Sequence, residues 1–361
     1  MKKILIDGFF LGTKRGIGNY LRKLLGEMHG KEFSGSEFRV TVFVPRGYDH
    51  SSEELPENIN IIEGIGVPIL WESFLLPIII RRLKPDLILS PGNISPWFLF
   101  GRKQILIIHD CIFLLPKKTL PRSNKIYQRL GRMYLGLNTR LFASRSSALI
   151  TISEHSAHDI EKYLHIPKAK IKVIYGSVGQ SFDISKNKPK HSERDIYLHF
   201  YSIDPRKNSE RVIEAYLSSS CFSNGHHLYL IGDGAKKRSK GLHELGVFGF
   251  DFLKRDELNK IVSNVRALLY PSLYEGFGLP ILEFNCSSIP VITSNSSACE
   301  EVAGNFNFVV NPASTRELIS AMEFFQNDNN VLNYSNMALQ NCQRFNWARY
   351  RRGIVKVLRE V

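Results

Sequence analysis

Short apolar runs alternate with helix-length amphipathic stretches along most of the chain. Seven runs in the first half are predicted to be strands, at residues 3–7, 38–44, 60–62, 86–89, 104–108, 148–152 and 171–174. Six more follow at residues 197–201, 227–231, 247–249, 267–270, 291–293 and 308–309. Strands that alternate with helices are typical of parallel sheets covered by helices, so the pattern predicts an α/β fold.

The alternation is interrupted once, between residues 176 and 195, where the sequence Lys186-Asn187-Lys188-Pro189-Lys190 is typical of a linker. A chain of 361 residues also exceeds the roughly 250 to 300 residues that one core organises. We therefore predict domains at residues 1–178 and 196–344, with a linker at 179–195. A basic helix is predicted at residues 345–361, and its return to the first domain is one of the arrangements left open.

Composition excludes several classes of protein. With 43% apolar and 23% charged residues, the chain is an ordinary globular protein. Its longest apolar stretch, residues 67–80, contains Glu72 and Pro77 and falls short of the ~20 residues that span a bilayer. The amino terminus imitates a signal peptide, but Asp7 ends its apolar run, so we expect a cytoplasmic protein. The five cysteines are odd in number and contain no C-x-x-C, so we expect them to be reduced, without a zinc site.

Positive charge is concentrated in the first half. The formal net charge is +14, and residues 1–178 hold 26 Lys and Arg against 15 Asp and Glu. Residues 117–145 form the densest part and contain no acid, with the cations Lys117, Lys118, Arg122, Lys125, Arg129, Arg132, Arg140 and Arg145. Apolar residues recur among them at helical spacing, which predicts a basic amphipathic helix. It is either a solvated helix face or a surface that binds anionic membrane lipid or a phosphorylated lipid acceptor. No nucleic-acid-binding motif accompanies it, and we expect no nucleic acid as a partner.

A glycine pair, Gly16 and Gly18, lies between the first strand and a predicted helix. Glycines there allow backbone N–H groups to approach an anion at the helix amino terminus. Leu21 replaces the last glycine of G-x-G-x-x-G, so the pair is either a ligand loop or a turn. The chain contains no P-loop motif.

The most informative stretch follows the predicted strand at 267–270 and enters a helix, with the sequence Glu275-Gly276-Phe277-Gly278-Leu279-Pro280-Ile281-Leu282-Glu283. Its glycines can expose N–H groups to a phosphate or sugar oxygen. Its two carboxylates can bind different hydroxyls of one polyhydroxylated ligand. The alternative is a pair of surface acids around a turn.

This stretch resembles the E-x7-E element of the glycosyltransferase family 4 enzymes. Other elements agree in order and spacing with that family, namely Gly16-Ile17-Gly18-Asn19-Tyr20, His109-Asp110, Thr151-Ile152-Ser153-Glu154, Asp204-Pro205-Arg206-Lys207-Asn208, Gly232-Asp233-Gly234 and Ile289-Pro290-Val291 before Glu300-Glu301-Val302. The resemblance covers nearly the whole chain. It implies a GT-B fold, in which two Rossmann-like domains face a central cleft.

The resemblance also implies roles for individual residues. Lys207 and Arg206 would neutralise the leaving diphosphate, Glu283 would accept hydrogen bonds from the ribose, and Glu275 would hold the donor sugar. The implied catalytic residues are His109, Glu275 and Lys207, and the implied donor-binding residues are Gly16, Gly18, Ser202, Arg206, Lys207, Glu275, Gly276, Phe277, Gly278, Leu279 and Glu283. For His109, a purely structural role at a strand end is the alternative. Two departures stand out, Ser202 where an arginine is common and Ser288 where a glycine is usual.

No Asp-x-Asp triplet occurs, so we expect a metal-independent enzyme in which cationic side chains replace the divalent ion, and no cofactor. The leading hypothesis is a retaining glycosyltransferase. It would move a hexose from a nucleotide sugar onto a lipid-linked, lipopolysaccharide or capsule-type glycan. Mannose from GDP-mannose is the first candidate, and a rhamnosyl or glucosyl-type donor is the alternative. We expect the enzyme at the inner face of the cell membrane, bound peripherally to anionic lipid. The alternatives are an epimerase-like nucleotide-sugar enzyme and a catalytically silent nucleotide- or glycan-binding protein.

Overall fold

A computed structural model describes residues 1–13, 16–29, 33, 37–48, 56, 59–116, 126–178, 182 and 193–361, with the side chains of 126–128 excepted. Most of the expected linker lies outside the described residues. So do Lys117, Lys118, Arg122 and Lys125 of the predicted basic helix. The described chain divides into two compact units. Unit 1 comprises the described residues of 1–115, 126–176 and 347–361, and unit 2 comprises residue 116 and those of 177–346.

Unit 1 is built on a parallel sheet of seven strands in the order β3-β2-β1-β4-β5-β6-β7. The strands are β1 (Lys2–Asp7), β2 (Phe38–Pro45), β3 (Ile59–Gly64), β4 (Leu87–Ser90), β5 (Lys103–Ile107), β6 (Ala148–Thr151) and β7 (Ile171–Val173). Its helices are α1 (Ile17–Gly26), α2 (Pro68–Leu70), α3 (Leu76–Leu83), α4 (Ile126–Phe142), α5 (Glu154–Leu164) and α13 (Trp347–Glu360). A π-helical turn, Trp71–Leu75, joins α2 to α3.

Unit 2 contains a parallel sheet of six strands in the order β10-β9-β8-β11-β12-β13. The strands are β8 (Ile196–Phe200), β9 (His227–Ile231), β10 (Val247–Phe250), β11 (Val265–Tyr270), β12 (Val291–Ser294) and β13 (Phe308–Val310). Its helices are α6 (Ser209–Leu217), α7 (Ala235–Arg238), α8 (Arg255–Ser263), α9 (Leu279–Asn285), α10 (Ala298–Ala303), α11 (Thr315–Phe324) and α12 (Asp328–Arg344). All thirteen predicted strands are therefore confirmed, and with them the α/β class.

The central strands are buried on both faces, which is why they appear in the sequence as continuous apolar runs. All four residues of β4 and of β12, and all six of β11, are buried. Helix starts have local causes as well. Ser153 accepts a hydrogen bond from the Ser156 N–H at 3.0 Å and caps α5, and Ser314 caps α11 through the Glu317 N–H at 3.2 Å.

The carboxyl-terminal helix α13 packs within unit 1. Its residues Ile354, Val355 and Leu358 are buried in the same core as Ile4 and Leu24. Gly353 permits the close approach, because a Cβ atom there would lie 3.0 Å from the Ile174 side chain. The same helix is basic on its exposed side, as the sequence pattern indicates.

One expectation about the cysteines was wrong. Cys286, after α9, and Cys342, in α12, are joined by a disulfide with their Cα atoms 5.2 Å apart. Their 56-residue separation and the lack of a C-x-x-C motif gave no sign of this pairing. The other three cysteines are free and buried, as expected for packing residues.

Within the described part of the chain, no helix is both long and apolar enough to cross a membrane.

Candidate functional site

The candidate site of unit 2 lies where its strand order reverses. Strands β8 and β11 are neighbours, although β9 and β10 lie between them in sequence, on the far side of β8. At such a switch point the chain leaves the two neighbouring strands in opposite directions. A crevice forms between the loops at the carboxyl ends of the strands, and ligands bind there in many α/β proteins. Ser202 and Lys207 follow β8, and Glu275 follows β11. The fold thus brings the two predicted loops of this unit to one place.

An ion pair joins these two loops. The Lys207 Nζ donates a hydrogen bond to Glu275 Oε1 at 2.5 Å and another to the Tyr270 hydroxyl at 3.3 Å. The side chains of Lys207 and Glu275 are only 28% and 13% exposed to solvent. A cation and an anion held together at the mouth of a crevice can bind a ligand with charges of both kinds, and the low exposure strengthens the electrostatic effect.

The neighbouring cation, Arg206, has a partner of its own. Its guanidinium binds both carboxylate oxygens of Asp204, with the Nη2 to Oδ2 distance at 2.6 Å. Burial raises the pKa of Asp204, but the hydrogen bonds from Arg206 outweigh it and the pKa falls below its ordinary value. Arg206 is therefore paired with an acid of its own loop, whereas Lys207 is paired with Glu275 of the other loop.

Ser202 takes part in the hydrogen-bonding framework beneath the loop. Its hydroxyl accepts from the Asp204 N–H at 3.1 Å, and its own N–H donates to the Ser209 hydroxyl at 3.1 Å. The Ser209 hydroxyl lies 2.9 Å from the Nε2 of His199. Burial, together with the positive charge of Lys207, lowers the pKa of His199 to about 4, although a hydrogen bond to the Leu269 carbonyl opposes the shift. A neutral His199 thus supports the loop that carries Lys207.

The predicted glycine-bearing loop enters α9 as expected. Gly278 adopts φ +99° directly before the helix, a conformation that favours glycine. Phe277 is buried with its ring edge on Phe345, at 5.7 Å between centroids. Gly276 is partly buried and Leu279 is exposed at the first position of α9. The backbone of this loop is therefore held in place from one side.

Glu283 lies further along α9 and is largely removed from water. Burial raises the pKa of its carboxyl group above the ordinary value, and the positive charge of Arg255 partly reverses this. A carboxylate in such a position gains from any ligand that donates hydrogen bonds to it.

Two residues of this site were missed by the sequence analysis. Ser297, after β12, accepts the Glu275 N–H on its hydroxyl at 2.9 Å. It does so with φ +56°, ψ −147°, a strained backbone for a residue other than glycine. Tyr270, the last residue of β11, is buried beside Glu275, and burial raises its pKa well above the ordinary value. In the sequence, the only sign of a role in the site is that Ser297 follows a strand and that Tyr270 ends one.

The backbone conformation of Ser288 shows how one of the two departures from the family pattern is accommodated. It adopts φ +57°, the left-handed conformation in which a glycine is usual. The turn between α9 and β12 is therefore retained, with a serine under backbone strain.

In unit 1, the two glycines of the pair have different structural roles. Gly16 precedes α1 with φ +52°, and its carbonyl accepts the Tyr20 N–H at 3.1 Å. Gly18 is buried, and the carbonyl oxygens of Phe10 and Thr13 occupy the space that a Cβ atom would need. The close approach of this loop thus accounts for Gly18 without a ligand.

His109 lies just beyond β5 and is buried. The ring Nε2 of His109 is 2.7 Å from the Pro91 carbonyl oxygen. The backbone N–H of His109 donates a hydrogen bond to Asn93 Oδ1 at 2.7 Å. Burial lowers its pKa to about 4 despite the bond to Pro91, so the ring is neutral near pH 7. A neutral ring that donates from Nε2 leaves Nδ1 as a hydrogen-bond acceptor.

Unit 1 also presents an apolar surface bordered by cations. Along α4, Leu130, Met133, Leu137 and Leu141 are 59%, 70%, 57% and 49% exposed. Arg129 and Arg140 are exposed on the same helix. The Trp97 indole donates to the Tyr134 hydroxyl of α4 at 3.4 Å, and the side chains of Phe98 and Phe100, which follow Trp97 in the chain, are exposed. We call Leu130, Met133, Leu137, Leu141, Trp97, Phe98 and Phe100 the α4 surface. Exposed apolar patches of this kind mark interaction sites.

The part of the chain that the structure describes contains no group of three or more His, Cys, Asp or Glu residues able to hold a metal ion.

Two family models match the chain side by side. "Glycosyltransferase Family 4" matches residues 15–179, and "Glycosyl transferases group 1" matches residues 180–341. The serotype-specific mannosyltransferase WbdA of Escherichia coli is 26% identical over 281 residues, which make up 72% of this chain and 33% of WbdA. The chain thus spans about a third of that relative. The O-antigen chain mannosyltransferase RfbU of Salmonella typhimurium is 27% identical over 241 residues, 62% of this chain and 65% of RfbU.

Among solved structures, WaaG, a glycosyltransferase involved in lipopolysaccharide biosynthesis, is similar with a TM-score of 0.70 at 13% identity. The match covers 98% of this chain and 99% of WaaG. At this identity the similarity concerns the fold.

Proposed function

Because the chain belongs to glycosyltransferase family 4 and has the GT-B fold, we propose that it transfers a hexosyl group from a nucleotide sugar to a lipid-linked, lipopolysaccharide or capsule-type glycan. Mannose from GDP-mannose is the proposed donor. The mannosyltransferases WbdA and RfbU, each similar to more than half of the chain, support this choice.

The observation that carries the proposal is the Lys207–Glu275 pair at the switch point of unit 2. Departure of a nucleoside diphosphate builds negative charge on its phosphate oxygens. A fixed ammonium group stabilises that charge, an effect of about 10²–10³ in rate for one well-placed donor. Lys207 supplies the ammonium group, and Glu275 fixes its position. The other carboxylate oxygen of Glu275 is assigned to a hydroxyl of the donor sugar.

Donor binding is assigned to the same unit. Glu283 accepts hydrogen bonds from the ribose hydroxyls, and the loop of Gly276, Phe277, Gly278 and Leu279 offers backbone N–H groups to the phosphates. Arg206 joins Lys207 on the diphosphate once Asp204 releases it, and Ser202 contributes a hydroxyl. In unit 1, Gly16 and Gly18 form the turn before α1 at which the donor would approach.

His109 is proposed to contact the transferred sugar or the acceptor. Its neutral ring can accept a hydroxyl hydrogen bond at Nδ1, which a protonated imidazole cannot do. Its low pKa preserves this ability throughout the physiological range of pH.

We propose a retaining, metal-independent reaction. In it the departing phosphate assists attack from the same face of the sugar, so no carboxylate nucleophile is required. Cations of the protein, with Lys207 first among them, perform the neutralisation that a divalent ion performs in enzymes with an Asp-x-Asp element.

The acceptor suggests where the protein acts. A lipid-linked glycan is presented at a membrane, and the α4 surface combines apolar side chains with arginines, which is the composition of a peripheral membrane-binding face. We propose that the protein binds the inner face of the cell membrane through this surface. Each basic residue near an anionic bilayer contributes about 1 kcal/mol.

The test is a transfer assay with purified protein and a panel of nucleotide sugars, with a mannose-terminated oligosaccharide as acceptor. We expect product with GDP-mannose, unchanged rates in excess EDTA and an α-linked product by NMR. Binding without transfer would identify a silent binding protein, and conversion of the donor without acceptor would identify an epimerase-like enzyme. Inhibition by EDTA that magnesium reverses would refute metal independence alone.

A further inference from the structure

Two tyrosines of unit 1 connect its carboxyl-terminal helix to His109. The ring of Tyr20, in α1, meets the His109 imidazole edge-on, with centroids 4.6 Å apart and an interplanar angle of 88°. The Tyr20 hydroxyl is hydrogen-bonded to the Tyr350 hydroxyl of α13, and the two rings lie 5.8 Å apart. The three side chains therefore form a contiguous row that begins on α13 and ends at the histidine.

We propose that Tyr350 is a positioning residue for His109 in the transfer reaction and that it acts through Tyr20. The inference rests on the proposed function, in which His109 contacts the sugar or the acceptor. The bond from Nε2 to Pro91 fixes one atom of the imidazole but leaves the ring free to tilt about that bond. The Tyr20 ring limits the tilt, and the Tyr350 hydroxyl holds the far end of Tyr20. The direction of Nδ1 is set in this way.

Tyr350 is well placed to serve as the fixed end of this row. It is 1% exposed, and Trp347 packs edge-on against its ring at 5.1 Å between centroids. One and two turns further along α13, Ile354 and Leu358 are buried in the core of unit 1. The Leu358 carbonyl also accepts a hydrogen bond from the Lys2 ammonium at 2.8 Å. A residue on an anchored helix can hold a neighbour in one orientation, which is what a positioned catalytic group requires.

The first experiment measures kinetics. Tyr350→Phe removes the hydroxyl and leaves the ring contacts in place, so the fold is expected to persist. We expect kcat to fall about 10-fold to 100-fold, because small errors in position have effects of that size. The donor KM should change by less than about twofold, because the contacts assigned to the nucleotide and its diphosphate belong to unit 2. Tyr20→Phe should have the same effect, and the double variant should be no slower than either single one.

Two controls separate positioning from loss of a buried hydrogen bond. Tyr216→Phe removes a hydroxyl that donates to the His226 carbonyl at 2.8 Å in unit 2, and should leave kcat unchanged. In a His109→Gln background, Tyr350→Phe should have no further effect on kcat. A full rate in Tyr350→Phe, or an equal loss of rate with and without His109, would overturn the proposal.

A second measurement does not depend on activity. In protein labelled with ¹⁵N-histidine, the His109 ring resonances are assigned by their loss in His109→Gln. We expect Tyr350→Phe to shift them and Tyr216→Phe to leave them in place. Unshifted resonances in Tyr350→Phe would overturn the positioning role even if no donor is found. Shifted resonances together with unimpaired transfer by His109→Gln would instead overturn the role of His109 in the reaction, and with it this inference.

Discussion

The ammonium group of Lys207 lies 2.5 Å from a carboxylate oxygen of Glu275, 68 residues further along the chain. The two residues belong to loops that follow neighbouring strands, so their contact is a consequence of the parallel sheet order. One carboxylate oxygen of Glu275 accepts a hydrogen bond from the Lys207 ammonium group. The backbone N–H of Glu275 donates a hydrogen bond to the Ser297 hydroxyl. The pair is thus fixed before any ligand arrives, and preorganised charge is what transition-state stabilisation requires.

Lys207→Ala should lower turnover at saturating donor by about two orders of magnitude, since the developing charge on the diphosphate loses its fixed cation. Initial-rate measurements check this. Lys260→Ala, at an exposed lysine of α8, is the matched control and should leave the rate unchanged. If Lys207→Ala retains the normal rate constant, Lys207 lies outside the reacting region.

The two acids of the loop should separate binding from catalysis. Glu283→Ala should weaken the affinity for nucleoside diphosphate by about 1.5–3 kcal/mol, the value of a lost charge-assisted hydrogen bond. Glu275→Ala should reduce kcat and leave binding of the bare nucleotide nearly intact. Calorimetry with GDP and initial rates measure the two effects. A larger loss of nucleotide affinity in Glu275→Ala than in Glu283→Ala would reverse the assigned roles.

Much of this arrangement could be predicted from the sequence because of its burial pattern. Buried parallel strands are continuous apolar runs, and the loops at their carboxyl ends carry the polar residues. Glu275 was therefore identifiable as a residue that follows a strand, whereas Lys207 was identified only through the resemblance to glycosyltransferase family 4. Their ion pair was not identifiable, since the neighbouring position of β8 and β11 depends on the order of the sheet.

Other features depend on long-range packing that no local pattern contains. The hydroxyls of Tyr20 and Tyr350 meet although 330 residues separate them. The π-helical turn at Trp71–Leu75 lies inside an apolar stretch that resembles an ordinary helix. The partner of Arg206, Asp204, is local, but the sequence analysis did not pair the two residues. The disulfide belongs to the same group, since Cys286 follows α9 and Cys342 lies in α12.

Glu72→Gln should stabilise the protein above neutral pH. Glu72 is 3% exposed, its Oε2 is without a hydrogen-bond partner among the described residues, and burial raises its pKa to about 7, with the charge of Asp7 adding to the shift. A fold that raises the pKa of an acid favours its protonated form. The resulting stability is complete below the unfolded value near 4.5 and is lost as pH rises through about 7.

We therefore expect Glu72→Gln to gain about 2 kcal/mol or more over the natural protein at pH 8, and the gain should shrink toward zero near pH 5. Scanning calorimetry at the two pH values measures the difference. Glu161→Gln, at an exposed acid of α5 in the same unit, should show no such dependence on pH. An equal change at both pH values would contradict the buried ionisation of Glu72.

Ser288→Gly should stabilise unit 2 slightly. The serine holds φ +57°, where a residue other than glycine loses about 1–2 kcal/mol, and the extra freedom of glycine in the unfolded chain offsets part of this. We expect a net gain of about 0.5 kcal/mol in urea unfolding. Ser287→Gly is the neighbouring control and should destabilise, because the hydroxyl of Ser287 donates to the Glu283 carbonyl at 3.3 Å. A loss in Ser288→Gly would mean that its side chain outweighs the strain.

The α4 surface should bind anionic vesicles through electrostatic attraction and through insertion of apolar side chains. Measurements at low and high salt distinguish the two contributions. The electrostatic part weakens as the screening length falls from ~10 Å at 0.1 M salt to ~3 Å at 1 M, whereas insertion of apolar side chains persists. Arg129→Glu with Arg132→Glu should abolish co-sedimentation with phosphatidylglycerol-containing vesicles at low salt. Met133→Ser with Leu137→Ser should reduce the binding that remains at high salt, because these residues are 70% and 57% exposed.

A matched pair of substitutions isolates the position from the charge. Arg352→Glu with Lys356→Glu makes the same change of net charge at two exposed residues of α13, outside the α4 surface, and should leave vesicle binding nearly intact. All these variants should transfer to a water-soluble acceptor at the normal rate, since donor binding is assigned to unit 2. If both charge-reversal pairs sediment with vesicles as well as the natural protein does, α4 is a solvated helix face and does not bind lipid. Loss of transfer to the soluble acceptor in the α4 pair would mean instead that this helix contributes to acceptor binding itself.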